Sequence, residues 1–430
     1  MDASTHNIIC VGDYDKNPPW KKINYMTGIP YSDIFLLNSL DEFPNIRQMY
    51  LEELRRKIAR YENTQLFYND NWEYYKKLVN PYELVYTQNK YQNFPQSICI
   101  LKPLSRSYFK MIEILEVFGF FNELRNENKN MGIKTAHVCE GPGGFIEAIW
   151  DLAEKYRTKI SGSHAITLRS SHTNIPGWRR ASSFLAKHKE IHIHYGEDRT
   201  GDILKKCNQD SFVKHIADNS GKVHIYTADG GLDFSDNYEN QEIQIFPILL
   251  ASVKIGVECL RKNGMMIIKF FDIQRSITKQ LLFLIQQCFT KWTLYKPAMS
   301  RPCNPEQYFI GIGFKFGGGF AVGGEEMYSQ IIQKLDTLQP KFEKLPYEAG
   351  LPTEFHIGLN RFQDNLINFQ IKYLELIFET IDKIHGEYHK SGKTDGPNSE
   401  TIKFLKENEK KSLYWCKHFR VPHRYIAIQP

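Results

Sequence analysis

Two ammonium groups and two carboxylates stand out by where they fall. Lys110 lies in SRSYFK, Asp229 in YTADGG, Lys269 in MMIIKFF and Glu306 in NPEQYFIG. A lysine on a helix is ordinarily a solvated surface residue, and an aspartate after a strand is often a turn cap. A lysine ending an apolar run is less easily incidental, because a buried ammonium without a partner is costly. A fifth feature is HVCEGPGGF, His137 to Phe145, where three glycines follow Glu140. A glycine turn of this kind cradles a phosphate, holds a cofactor or only turns the chain. The spacing is not G-x-G-x-x-G, and no Walker lysine follows Gly144, so a phosphate loop is weakly supported. Glu140 suits a ligand with a positive group, such as an ammonium or a sulfonium. A tight turn with close helix packing is the competing reading.

The elements that must position these groups are legible between about 98 and 316. SRSYFKMIEILEVFGFF reads as a helix. KTAHVC, SHAITL, EIHIHY, KVHIYTADGG and GMMIIKFF read as five strands, separated by helical stretches such as FIEAIWDLAEKY, QIFPILLASVKIGVECL and ITKQLLFLIQQCF. Strands alternating with helices predict an α/β fold, a mostly parallel sheet covered on both faces. KWTLYKP and EQYFIGIGFKF follow with no helix between them and predict an antiparallel pair at one edge of a seven-stranded sheet. In that topology Asp229, Lys269 and Glu306 sit at strand ends around one cleft. Lys110 faces it from the preceding helix, and the glycine turn opens at the first strand-to-helix crossing.

The flanks differ. Residues 1–97 read as a mainly helical extension, with Ile46, Met49, Leu54, Ile58 and Tyr61 at helical spacing. Residues 317–430 read as a glycine-rich linker, FGGGFAVGGE, and a helical extension carrying Phe362, Leu366, Phe369, Tyr373, Leu376, Phe378 and Ile381. A basic, aromatic end follows. The domain boundaries are therefore set at 1–97, 98–316 and 317–430.

Composition narrows the function classes. The 430 residues are 42% hydrophobic and 24% charged, as in a folded soluble protein. A formal net charge of +6 permits an anionic partner without demanding one. Eight scattered cysteines with no C-x-x-C pair argue against zinc sites and a disulfide framework, and for a reducing compartment. His192 and His194 share one face of a strand by alternation, with no third ligand in view, so no metal is expected. Neither a signal peptide nor a membrane span is expected.

On Lys110, Asp229, Lys269 and Glu306, in that order and context, the stretch 98–316 resembles the FtsJ-like family of S-adenosylmethionine-dependent RNA ribose 2′-O-methyltransferases. TGDI at Thr200–Ile203, TADGGLDF at Thr227–Phe234 and KPAMSRPCNPEQYF at Lys296–Phe309 make it most similar to the cap-specific mRNA members. The resemblance implies a Rossmann-like fold with S-adenosylmethionine as cofactor. It implies RNA as partner, at the capped 5′ end of mRNA, with a protein of the capping or transcription machinery as a further partner. The lysine-, asparagine- and tyrosine-rich composition suggests a large DNA virus as source, and the expected location is cytoplasmic, with virion association if the source is viral.

The resemblance also distributes roles. Lys110, Asp229, Lys269 and Glu306 become catalytic: Lys269 stabilises the 2′-alkoxide, Asp229 orients it, and Lys110 with Glu306 completes the charge network. Glu140, Gly141, Pro142, Gly143, Gly144 and Phe145 become the cofactor turn, with Asp198 or Asp202 for the adenine amine and Asp229 near the methyl group. Arg169 stands where the family usually offers an acid to the cofactor's ribose, with Ser170 and Asn174 as substitutes. Arg106, Arg275, Lys279, Lys296 and Arg301 flank the cleft and are expected to position RNA phosphates. Two other readings stand beside this one: an inactive RNA-binding scaffold on the same fold, and a methyltransferase for ribosomal or internal RNA sites.

Overall fold

The apolar runs between Ile133 and Phe314 assemble into one sheet. The computed structural model describes residues 26–27, 46–62, 72–87, 94–122, 132–169, 177–231, 241–318, 323–338, 351–391 and 399–426. The strands are β1 (Met26–Thr27), β2 (Ile133–Val138), β3 (Ile160–Ile166), β4 (Ile191–His194), β5 (Val223–Ala228), β6 (Leu260–Phe270), β7 (Phe289–Tyr295) and β8 (Gln307–Phe314). Their order across the sheet is β1-β7-β8-β6-β5-β2-β3-β4. The pairs among β2 to β6 are parallel, and β8 runs antiparallel to both β6 and β7. This is the expected Rossmann-like layout, with one difference. The β7–β8 hairpin is not the edge, because Met26 and Thr27 pair antiparallel with Trp292 and Lys291. A two-residue strand from the N-terminal extension covers the open side of β7, which leaves only a short edge.

The order reverses at β2. The chain leaves β2 for β3 and β4 on one side, then returns to β5 and β6 on the other. Such a reversal opens a crevice at the carboxyl ends of the strands, where this class of sheet takes its ligands. Helix α3 (Ser107–Val117) precedes β2, and α4 (Gly144–Lys155) follows it. Phe145, Ile146, Ile149, Leu152 and Ala153 are buried along α4, the three-and-four spacing of a helix with one apolar face. Four more helices cover the sheet: α5 (Ser182–Lys187), α6 (Lys206–Ser220), α7 (Gln241–Cys259) and α8 (Ser276–Gln286).

The extensions are α1 (Ile46–Glu62), α2 (Trp72–Leu78), α9 (Gly324–Thr337), α10 (Thr353–Ser391) and α11 (Ser399–His418). Leu54 and Ile58 are buried as expected, whereas Ile46 and Met49 are 82% and 54% exposed. The buried face of α1 therefore begins at Leu51. Helix α10 buries Phe362, Leu366, Phe369, Tyr373 and Ile381. One continuous apolar core runs from Leu51 and Tyr75 through the sheet to Phe362 and Trp415. Within the glycine-rich linker, residues 319–322 lie outside the described residues, and Gly323 in the left-handed region opens α9. No described helix is long and apolar enough to cross a membrane.

Candidate active site

Lys110 on α3 and the three residues at or beside strand ends, Asp229, Lys269 and Glu306, form two ion pairs. Lys110 Nζ lies 2.7 Å from Glu306 Oε1 and donates to Oε2 at 2.8 Å. Lys269 Nζ lies 3.2 Å from Asp229 Oδ1 and donates to the Asp229 carbonyl at 3.0 Å. All four side chains keep between 8% and 16% of their surface exposed, enough to be reached and too little to be solvated freely. The two pairs also act on each other. Burial disfavours the Lys269 ammonium, but Asp229 and Glu306 outweigh it, and its pKa is raised above the ordinary lysine value. Burial likewise opposes the Glu306 carboxylate, yet Lys110 and then Lys269 pull it down to about 2. Lys269 and Glu306 are therefore both charged at neutral pH.

Register explains the proximity. Lys269 on β6 is directly opposite Tyr308 on β8. The buried Tyr308 hydroxyl donates to Asp229 Oδ1 at 3.1 Å. Tyr308 thus links β8, two residues beyond Glu306, to the Asp229–Lys269 pair. Reading the sequence missed it, because one tyrosine among 24 carries no distinguishing signal. A Cβ at Gly231 would sit 3.1 Å from Lys269 Nζ, so the glycine leaves room beside the ammonium.

The glycine turn has a packing reason and an open end. Gly143 is left-handed, with φ +107°, and its N–H donates to the Glu140 carbonyl at 2.6 Å. A side chain at Gly144 would overlap the Ser105 and Ser107 hydroxyls at the start of α3. No side chain caps the first turn of α4, so its amides face the crevice unclaimed by a capping group. Phe145 is fully buried.

Glu140 departs from expectation. Its carboxylate turns inward: Thr227 Oγ1 donates to Oε1, and His137 Nδ1 lies 3.3 Å from Oε2. His137 in turn bridges the hydroxyls of Thr227 and Thr135, at 2.7 and 2.8 Å. Burial raises the Glu140 pKa. Its side chain is 1% exposed, so it meets polar groups of the sheet rather than a cationic ligand.

The two candidates for the adenine separate. Asp198 accepts from Thr200, Lys205 and Asn208, which makes it the organiser of its own loop. Asp202 accepts the Leu204 amide at 3.0 Å and remains half-buried. It also reaches the crevice electrostatically: after burial and Lys269, the charges acting on the Cys139 thiol are Glu140, Asp202 and Asp229. Arg169 is exposed, with its guanidinium 5.5 Å over the Tyr195 ring. Ser170 and Asn174 lie outside the described residues.

Of the five cations expected to hold phosphate, four are turned inward. Arg301 forms a two-point bridge to Glu83 at 3.1 and 3.1 Å. Arg106 lies 3.4 Å from the same carboxylate and donates to the Tyr86 and Met299 carbonyls. Glu83 is driven to about 2 by these guanidiniums against its burial. Lys296 is 1% exposed and donates to Ser300 Oγ, Asn304 O, Asn304 Oδ1 and Glu306 O at 2.8–3.2 Å. Burial pushes its ammonium down to about 7. Lys279 is also buried, and Arg275 alone of the five is exposed. A charge placed in an apolar interior must find partners there, and these found them within the chain.

Those partners reveal what holds Glu306. The loop from Lys296 to Glu306 is clamped by Glu83 at Arg301, by Lys296 from within, and by Glu113 at its start. Glu113, fully buried on α3, accepts from Tyr295 Oη, Ala298 N, Met299 N and Trp415 Nε1 at 2.6–3.4 Å. An acid inside the apolar run MIEILEVF was the available signal for it, of the same kind that marked Lys269. The strand histidines sit in another cluster: the His194 and His215 rings stack at 4.8 Å, and those of His164 and His192 at 5.3 Å. Among the described residues no group of His, Cys, Asp or Glu is disposed to hold a metal.

Residues 103–314 match the model for FtsJ-like methyltransferase. Among curated proteins, the chain is 29% identical over 298 residues to cap-specific mRNA (nucleoside-2′-O-)-methyltransferase 1 of Mus musculus. It is 32% identical over 299 residues to the protein of that name from Xenopus laevis. Each match covers 66% of this chain and 34% of the relative, so the chain spans about a third of their length. The Trypanosoma cruzi protein of the same name is 29% identical over 214 residues, 49% of this chain and 56% of that one.

Proposed function

From the premise that this chain belongs, through residues 103–314, to the FtsJ-like methyltransferase family, we propose that it transfers a methyl group from S-adenosylmethionine to a ribose 2′-hydroxyl at the capped 5′ end of mRNA. The observation that carries the reading is the paired array, Lys110–Glu306 and Lys269–Asp229, at the mouth of the crevice. The cap assignment rests on the names of the relatives matched over two thirds of the chain.

The crevice fits the cofactor by its donor set. The uncapped first turn of α4 suits a carboxylate, while Asp202 and Asp229 give the rim the negative potential that a sulfonium prefers. When bound there, S-adenosylmethionine supplies an electrophilic methyl group. The protein's part is placement and charge. Lys269 keeps its proton, because its pKa is raised, so it stabilises an oxyanion rather than removing a proton. A 2′-hydroxyl set against it becomes more acidic, and its proton leaves to solvent as the oxygen takes the methyl group. Asp229, fixed by Tyr308, holds Lys269 in place. Lys110 and Glu306 fix the opposite wall.

The test is methyl transfer from labelled cofactor to capped and uncapped RNA of one sequence, with the product nucleoside identified. Label in a 2′-O-methylnucleoside of the capped RNA is expected. Equal labelling of uncapped RNA favours internal or ribosomal sites, and no labelling of either favours a scaffold.

A further inference from the structure

The strongest feature outside the crevice is the end of the described chain. From Lys410 to Pro430 there are five lysines and arginines and no carboxylate. Helix α11 is fixed in rotation by its inner face. Asn408 donates to the Leu78 carbonyl at 2.7 Å, Trp415 donates to Glu113 at 2.8 Å, and Leu405, Ser412, Cys416 and Phe419 are buried. That docking turns Lys403, Lys406, Lys410, Tyr414 and Lys417 outward at helical spacing. Arg420, Arg424 and Tyr425 continue the exposed line beyond the helix.

Three properties separate this line from an ordinary solvated helix face. Lys403 and Lys410 pair within the helix with Glu400 and Glu407, at 4.0 and 3.0 Å, but among the described residues Lys417, Arg420 and Arg424 form no ion pair with a carboxylate. Two tyrosines are interleaved with the cations, Tyr414 at 43% and Tyr425 at 72% exposed, and the Lys417 ammonium lies 5.5 Å over the Tyr425 ring. The line also leads to the crevice. Arg424 N donates to the Ile98 carbonyl, and Ile100 N to that of Pro422, which lays 422–424 against 98–100. From there the chain passes exposed Lys102 and reaches Lys110. Leu104, between them, flanks Gly143 together with Trp178, whose neighbours Arg179 and Arg180 are exposed.

We infer that the outer face of α11, with Arg420 to Tyr425, is a second RNA-binding surface that holds the single strand downstream of the methylated nucleotide. The inference rests on the proposed function for the identity of the polymer. Cations spaced along a ridge neutralise successive phosphates, and exposed aromatic rings stack on bases without regard to sequence. Continuity with the crevice favours RNA over an acidic protein segment.

The full chain tests it, with Lys410→Gln, Lys417→Gln and Arg420→Gln combined and Tyr425→Ala made separately. All are exposed and outside the crevice, and unchanged thermal unfolding confirms their fold. Binding to capped single strands of about six and about 25 nucleotides is measured by anisotropy across a salt series. Losing three phosphate contacts lowers the slope of log affinity against log salt by about 2 for the longer strand. Its affinity falls roughly tenfold near 0.1 M salt, while the short strand binds and is methylated as before. An unchanged slope, or equal loss for both lengths, overturns the inference, as does tighter wild-type capture of polyglutamate than of RNA. If the wild type fails to methylate even the short capped strand, the proposed function falls, whatever the ridge does.

Discussion

Replacing Glu113 by glutamine tests the claim that a buried carboxylate ties the substrate-side loop to the C-terminal helix. In the folded protein Oε1 accepts from the Tyr295 hydroxyl and the Ala298 amide, and Oε2 from the Met299 amide and the Trp415 indole. An amide offers one acceptor atom. Either orientation sets its NH2 group against N–H or O–H donors, at a cost of about 1–3 kcal/mol per group left unmet. Burial holds the Glu113 pKa up at about 7, despite those four donors. An acid whose folded pKa is raised contributes stability that is full below its unfolded pKa and is lost as pH rises through the folded one. For a shift from 4.5 to about 7, that contribution falls by about 1.3 kcal/mol between pH 6 and pH 8.

The slope of the wild type alone does not isolate the effect. His164 and His224 are lowered to about 3 and 4, mainly by burial, and act in the opposite sense. Each adds at most about 0.8 kcal/mol on going from pH 6 to pH 8, before solvent screening is allowed for. The difference between wild type and Glu113→Gln cancels them. Urea unfolding of both proteins at pH 6 and pH 8 should give a larger wild-type advantage at pH 6, by about 1.3 kcal/mol. The methyl-transfer rate of the variant should fall at both pH values, because Glu306 ends the loop that Glu113 begins to anchor. An equal advantage at the two pH values, or a larger one at pH 8, refutes the reasoning.

Lys269→Met should cut turnover by about two to three orders of magnitude while cofactor binding by calorimetry stays near wild type; turnover within threefold of wild type removes Lys269 from the mechanism. Lys296→Met should leave stability within about 2 kcal/mol, since relief of a buried ammonium offsets the acceptors it abandons. Its turnover should nevertheless fall, because the Glu306 carbonyl loses its anchor, and unchanged kinetics would show that anchor to be idle. Gly144→Ala should destabilise by roughly 1–3 kcal/mol, as the added methyl group meets Ser105 and Ser107; a gain in unfolding temperature would contradict the packing role given to the glycine.

The alternation of apolar-rich runs and helical stretches was enough to identify β2 to β8 in chain order, because buried parallel strands are rich in apolar residues and each crossover needs a helix. The pairing of Lys110, Asp229, Lys269 and Glu306 was foreshadowed for the same reason: a lysine such as Lys269 cannot end an apolar strand without a partner. What stayed hidden were partners whose identity depends on the third dimension. Sequence spacing places Arg106 and Arg301 beside the cleft, but gives no hint that both guanidiniums turn to Glu83, from another segment. Glu140 looked like a ligand group because it precedes a glycine turn. Its direction is decided by Thr227 and His137 on neighbouring and preceding strand positions. Tyr308 becomes informative only once β8 lies antiparallel to β6. Met26 and Thr27 are too short a strand for periodicity to detect.

The family match covers 103–314, but the geometry of the site depends on residues beyond both ends of it. Glu83 binds Arg301 from one extension, and Trp415 meets Glu113 from the other. Arg55 of α1 pairs at 2.9 Å with Asp272, three residues after Lys269. Lys269 is therefore followed, and Glu306 preceded, by a segment that an extension restrains. Two ion pairs must be held within fractions of an ångström to stabilise an oxyanion, and loops alone do not supply that rigidity. The extensions and the sheet share one apolar core, so removing either would expose core and release loop together. On this argument the flanks are part of the active site's support, and the unit that carries the array is larger than the segment that identifies it.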